Sequence, residues 1–313
     1  MTGLTARAPA KLNLQLSVGP LRADGFHDLA TVFHAVSLFD ELTVEPSSRV
    51  TVRVEGEGAG QVPAGRANLA AQAAAALRKV AGTTQGAKIL IRKKIPVAAG
   101  LAGGSADAAA ALVACNKLWG AGLGPAELAR IAASVGSDVP FSLAGGTAVG
   151  LGRGERLSPA LVSGRYHWVL CVADGGLSTA AVYAECDRLR AAGTDGRRVP
   201  RRLDGVDRDL LAALRSGDPA AVGALLSNDL QPAALSLKPQ LRRVLEAGAG
   251  HGALGGIVCG SGPTCAFLAS GEDHALGLAA ALAGAGVCRY VAHASGPVPG
   301  AVVAQQAGER PNA

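Results

Sequence analysis

Residues 87–120 read AKILIRKKIPVAAGLAGGSADAAAALVACNKLWG, and three local patterns follow one another within them. AKILIRK at 87–93 alternates apolar and polar side chains, the period of a half-buried strand. From Ala106 the alanines and Leu112 recur at helical intervals until Gly120 stops them. Between the two lies a run of small residues: Pro96, Val97, Ala98, Ala99, Gly100, Leu101, Ala102, Gly103, Gly104, Ser105 and Ala106. A strand, a glycine-rich loop and a helix in that order leave backbone N–H groups uncovered where the helix dipole adds partial positive charge. Phosphate suits both features. Leu101 is expected to anchor the loop in the core, and Ser105 to cap the helix or to meet phosphate or magnesium. A tight turn in an Ala/Gly-rich chain would read the same, so the neighbouring segments decide.

No lysine follows the glycines as GxxxxGK[ST] requires, and the HRD and DFG elements of protein kinases are absent. The GxGxxG at Gly250, Gly252 and Gly255 follows a predicted helix and precedes a predicted strand, the reverse of a dinucleotide fold. Outward from the loop, LNLQLSV at 12–18, ATVFHAVSL at 30–38, ELTVEP at 41–46 and VTVRVEG at 50–56 read as strands of a mostly antiparallel sheet. Helices are expected at 67–81 and 125–135, and GSDVPF as a loop. The second half predicts strands at 166–173, 254–259, 264–270 and 287–295 among helices. A chain of 313 residues exceeds the roughly 250 at which single cores tend to split. The reading is α+β with two lobes, 1–160 and 161–297, and a fraying tail over 298–313.

Hydrophobic residues at 49% and charged residues at 17% exclude global disorder. The six cysteines form no CxxC pair, so neither a zinc site nor a disulfide framework is expected, and no residue set predicts a metal. MTGLTARAPAKLNL lacks an apolar core of signal length, which predicts a cytoplasmic protein without a membrane segment. The net charge of +6 suits phosphate-rich partners. The densest basic segment, Arg197 to Arg202, has no interleaved aromatics, and aromatics total only 3%, so nucleic acid is not the expected partner.

Three more segments carry polar groups. Lys11 and Asn13 stand on alternate positions of a predicted strand, hence on one face. Asp138 sits in the turn GSDVP, and Gly260-Ser261-Gly262-Pro263 supplies a second loop of exposed backbone. Taken alone, a lysine is more often a solvated charge and a turn aspartate a local acceptor.

In order, APAKLNL, PVAAGLAGGSADAAAAL, GSDVPF and CGSGPTCAF resemble the signature of the galactokinase, homoserine, mevalonate and phosphomevalonate kinase superfamily. Asp24-Gly25-Phe26-His27 and Asn228-Asp229-Leu230 resemble the branch acting on a cytidine diphosphate-linked methylerythritol. The resemblance implies a two-lobed α+β fold with the active site in the cleft, and ATP held by Pro96 to Ala106 with Mg²⁺ carried by the nucleotide. It implies Lys11 and Asp138 as the catalytic pair, and Asn13 orienting the substrate. Phe26, His27, Phe33, Thr179 and Tyr183 would form the cytidine diphosphate pocket, Phe26 and Tyr183 stacking on the base and His27 reading its edge. The implied reaction phosphorylates the 2-hydroxyl of that small molecule in the non-mevalonate isoprenoid route. Two departures stand out: Ala106 replaces a frequent second serine, and Phe26 a frequent tyrosine. The rivals are a homoserine or mevalonate kinase and a basic RNA-binding protein.

Overall fold

Apolar–polar alternation near the N-terminus produces a long antiparallel pair, β1 (Leu4–Leu21) and β2 (His27–Ser47), in a computed structural model that describes residues 3–193, 203 and 205–304. The basic segment Arg197 to Arg202 and the last part of the expected tail, 305–313, lie outside the described residues. The chain continues through β3 (Thr51–Gly56), α1 (Leu69–Ala81), β4 (Gly86–Lys93), α2 (Gly103–Leu118), α3 (Pro125–Val135), α4 (Val139–Ala144), β5 (Thr147–Gly152) and β6 (Arg156–Pro159). Then come β7 (Tyr166–Val172), α5 (Thr179–Ala191), α6 (Arg208–Ser216), α7 (Pro219–Ala224) and the two-residue β8 (Ser227–Asn228). α8 (Gln231–Leu237), α9 (Gln240–Gly250), β9 (Gly255–Val258), β10 (Cys265–Ala269), α10 (Glu272–Gly284), β11 (Tyr290–Gly296) and β12 (Val302–Val303) complete it.

The fold is α+β, built on two sheets. The eight-stranded sheet runs β12-β1-β2-β4-β3, with β8 beside β1 and β5 and β6 branching from β2. β2 can fork because its first part pairs with β5 and its last part with β4. Register shifts at Pro9/Ala10, Asn13/Gln15 and Val18/Leu21 bend the β1–β2 pair at the points where it passes the site. The second sheet, β11-β7-β10-β9, is antiparallel, with α9 and α10 packed against it. α2 runs between the first sheet and α1, α3 and α4. It is apolar nearly all round and alanine-rich, as a helix enclosed on every side must be. No described helix is long and apolar enough to cross a membrane.

Three expectations need correction. The strands expected at 30–38 and 41–46 are one, because Asp40, which interrupts the apolar run, is buried in partnership with Lys93 instead of marking a turn. GSDVPF, expected as a loop, starts α4, with Pro140 in its first turn where a missing N–H costs nothing. The tail expected to fray from 298 is pinned through its described part. Gly146 N–H donates to Val298 O (2.8 Å) and Ala301 N–H to Ser142 O (2.9 Å), and β12 pairs with β1 at Ala6↔Val303 and Arg7↔Val302. Backbone hydrogen bonds outweigh the Gly/Pro-rich composition there. The chain thus leaves the first sheet after Pro159 and returns to it twice, at β8 and at β12.

Candidate active site

A cavity of about 910 Å³ opens where the two sheets meet, walled by β1, the β1–β2 turn, the loop before α2, the residues before α4, the start of α5 and the Gly260–Ser261 turn. The geometry of the loop before α2 is set by left-handed backbone at Ala98 (φ 52°), Gly100 (φ 79°) and Ala102 (φ 58°). Only glycine fits at position 100, since a Cβ there would lie 1.9 Å from Cys259 O. Leu101 O accepts from Lys11 N–H (3.2 Å) and its side chain is buried, so the loop is tied to β1 as expected. No side chain caps α2, and Gly103, Gly104 and Ser105 line the cavity, so the helix start faces it, with the Ser105 N–H turned back to Ala102 O (3.0 Å). Ala106 does not line the cavity. It is fully buried in α2, so the missing second serine removes nothing from the cavity wall as it stands.

Lys11 and Asn13 share the cavity face of β1 as their spacing predicts. The Lys11 ammonium donates to Asn13 Oδ1 (2.7 Å), lies 3.6 Å from Asp138 Oδ2 and sits 5.2 Å above the Phe33 ring. Asn13 Nδ2 donates to Thr31 Oγ1 (2.8 Å), so the amide serves Lys11 before any substrate. Lys11 is almost enclosed, whereas the Asp138 side chain keeps 32% exposure, the access a base for an incoming hydroxyl needs. Asn228, expected from the NDL run, donates to Val258 O (2.8 Å) and Gly260 O (2.7 Å) and so shapes the second loop, where Thr179 Oγ1 meets Ser261 Oγ at 3.0 Å.

At the other end of the cavity the expected residues divide. Phe26 stands half-exposed at the mouth, with the Arg153 guanidinium 5.2 Å from its ring, and Tyr183 lines the wall beside it. Burial, and next the Asp138 carboxylate, raise the Tyr183 phenol above its ordinary pKa. His27 lines the cavity, and its ring packs 5.1 Å from Tyr183, with Nδ1 2.9 Å from Gly19 O and Nε2 3.3 Å from Asp187 Oδ2. Both nitrogens are engaged within the protein, because the Leu21↔His27 pairing turns the imidazole inward. Phe33, which lines the cavity, is buried and stacked on Phe141 (4.9 Å, 28°), so it floors the site beneath Lys11.

The sequence reading missed a charged cluster beneath the loop. Lys93 donates to Asp40 and to Asp107 Oδ2 (2.8 Å for the latter), all three side chains being buried. Asp40 Oδ1 accepts from the N–H groups of Lys94 (2.6 Å) and Ile95 (2.9 Å), which fixes the chain entering the loop. Burial alone would lower Lys93, but Asp107 and Asp40 together raise it; burial raises Asp107, against the pull of Lys93. Asp107 was legible as a lone charge inside an alanine run. Asp40 and Thr31 carried no local signal.

Comparison with known proteins identifies the family. Residues 68–146 match the family model described as GHMP kinases N terminal domain, and residues 210–288 the one described as GHMP kinases C terminal. The chain is similar to the 4-diphosphocytidyl-2-C-methyl-D-erythritol kinases of Nocardia farcinica and Salinispora tropica. The first is 59% identical over 95% of each chain, and the second 55% identical over 94% of this chain and 92% of the other. A crystal structure of 4-(cytidine 5'-diphospho)-2C-methyl-D-erythritol kinase superposes with a TM-score of 0.74 at 34% identity, over 93% of this chain and 98% of that one. Homoserine kinase from Cytophaga hutchinsonii shares the fold, with a TM-score of 0.71 at 20% identity over 97% of this chain and 98% of that one. With both domain models matched and relatives more than half identical over nearly the whole chain, the chain belongs to the GHMP kinases, in the family of the 4-diphosphocytidyl-2-C-methyl-D-erythritol kinases.

Proposed function

We propose that this small-molecule kinase transfers the γ-phosphoryl group of ATP to the 2-hydroxyl of 4-diphosphocytidyl-2-C-methyl-D-erythritol, giving the 2-phosphate and ADP in the non-mevalonate isoprenoid route. The observation that carries the reading is one cavity that holds an uncapped, glycine-cradled helix start and, on its β1 face, Lys11 at 3.6 Å from Asp138. The substrate oxygen bonds to the γ-phosphorus as the bond from that phosphorus to the β,γ-bridging oxygen breaks, and the hydroxyl proton passes to Asp138. Lys11 offsets the negative charge that gathers on the attacking oxygen and holds Asp138 in place. Phosphate oxygens accept from the N–H groups at the α2 start.

Mg²⁺ would be carried by the triphosphate. The wall offers oxygen donors in Ser105, Asp107 and Asp138, while no cluster of three His, Cys, Asp or Glu suited to a metal occurs among the described residues. That donor set fits an ion held mainly by phosphates and water. When bound, it neutralises phosphate charge. Phe26 and Tyr183 offer aromatic faces to a cytosine, and Arg153 brings the charge sign a diphosphate needs to the same end. His27 supports this pocket by holding the turn against Tyr183. Free cysteines throughout suit a reducing cytoplasm.

The test is ATP consumption with the cytidylylated methylerythritol, homoserine and mevalonate supplied in turn. Turnover is expected with the first alone; a preference for either of the others sinks the substrate assignment. Tyr183→Ala is expected to raise KM for the cytidylylated substrate about tenfold while KM for ATP stays within about twofold, read from initial rates.

A further inference from the structure

Thr31 is fully buried on β2 and its hydroxyl makes two hydrogen bonds: it lies 2.5 Å from Gln15 O and 2.8 Å from Asn13 Nδ2. A carbonyl oxygen can only accept, so the single hydroxyl proton of Thr31 goes to Gln15. Thr31 Oγ1 is then an acceptor on its other side, and Asn13 must turn its NH₂ towards it. That leaves Asn13 Oδ1 facing Lys11 Nζ at 2.7 Å, and an ammonium can only donate. The opposite amide orientation would set NH₂ against NH₃⁺ and two oxygens against each other. Every member of the row Gln15 O, Thr31, Asn13, Lys11 therefore has one allowed polarity. The register shift between Asn13 and Gln15 is the local irregularity in β1 where this row crosses from one strand to the other. Gly150 of β5 closes the far side of Thr31, since a Cβ there would stand 3.0 Å from Thr31 Cγ2, so the threonine rotamer is set by packing.

We propose that Thr31 is a positioning residue for phosphoryl transfer, fixing the orientation of Lys11 through the amide of Asn13. The inference rests on the part given to Lys11 under the proposed function. Thr31 touches no substrate. It removes the freedom of Asn13 to flip, and so keeps the ammonium aimed between Asp138 and the phosphate loop.

Initial rates decide it, with fold monitored by circular dichroism and thermal melting. Thr31→Val keeps the shape and deletes the hydroxyl; kcat is expected to fall about tenfold or more with KM for ATP within about twofold. Thr31→Ser, which restores the hydroxyl, is expected to keep kcat within about twofold of the parent. In an Asn13→Ala background Thr31→Val is expected to cost nothing further, because the amide it acts through is gone. Should Thr31→Val not fold, Thr31→Ala is measured against the same expectations. Parental kcat in Thr31→Val while Lys11→Ala loses activity overturns the inference and leaves the proposed function standing. An undiminished Thr31→Val loss in the Asn13→Ala background overturns it as well, by showing a packing effect. Parental turnover in Lys11→Ala brings down the Lys11 assignment itself, and this inference with it.

Discussion

Asp138→Asn is expected to lower kcat by about 10²–10⁴-fold with KM for ATP within about threefold. The amide has the size of the carboxylate but cannot take the hydroxyl proton, so the attacking oxygen must lose it to water as the phosphorus bond forms. The effect falls on the transition state, which is why kcat moves and nucleotide affinity does not. Folding is spared: Asp138 is partly exposed and makes no side-chain cap to α4. Lys11 keeps Asn13 as a partner when the negative charge at 3.6 Å is gone. Initial rates at saturating substrate, with the melting temperature alongside, check the result. A folded variant turning over within about twofold of the parent would remove Asp138 as the base.

Lys93→Met carries the largest expected cost in stability, about 3–5 kcal/mol, seen as a fall in melting temperature on the order of 5 °C. The ammonium stands between Asp40 and Asp107, each buried, and a thioether leaves two carboxylates facing each other without a counter-charge. Asp40 cannot turn away without displacing the loop, because it also holds the N–H groups of Lys94 and Ile95. Nucleotide binding weakens with it. Adding Asp107→Leu to Lys93→Met is expected to recover part of the loss, since burying fewer charges matters more than keeping the pair. Thermal melts of both variants decide; a double variant less stable than Lys93→Met alone would mean that packing, not charge, sets the cost.

What sequence could show tracks how local each feature is. The loop at 96–106 and the Lys11/Asn13 face were legible because a helix start and a strand period announce themselves within a few residues. Asp138 was legible as a carboxylate in a turn, though its turn proved to be a helix entry. The Lys93 cluster was not, for Asp40 and Lys93 lie on different strands and meet only once β2 and β4 pair. Thr31 reads as one more polar residue in an alternating strand; its two partners on β1 come from pairing. His27 was singled out by the resemblance of the DGFH segment alone; that its ring nitrogens meet Gly19 O and Asp187 depends on the pairing of β1 with β2 and on α5, which no local pattern shows. β12 was hidden because two residues carry no period, and its pairing is supplied by β1.

The return of the chain at β12 has a topological consequence. Ala304 N–H donates to Thr5 O at 2.7 Å, so the first and last described strands meet side by side at one edge of the larger sheet. Seen this way the molecule is nearly a closed ring, in which the second sheet and its helices form an insertion between two anchored ends. A chain cut after Ala304 and joined back to Gly3 by a short linker would therefore close into a cyclic kinase without crossing the fold.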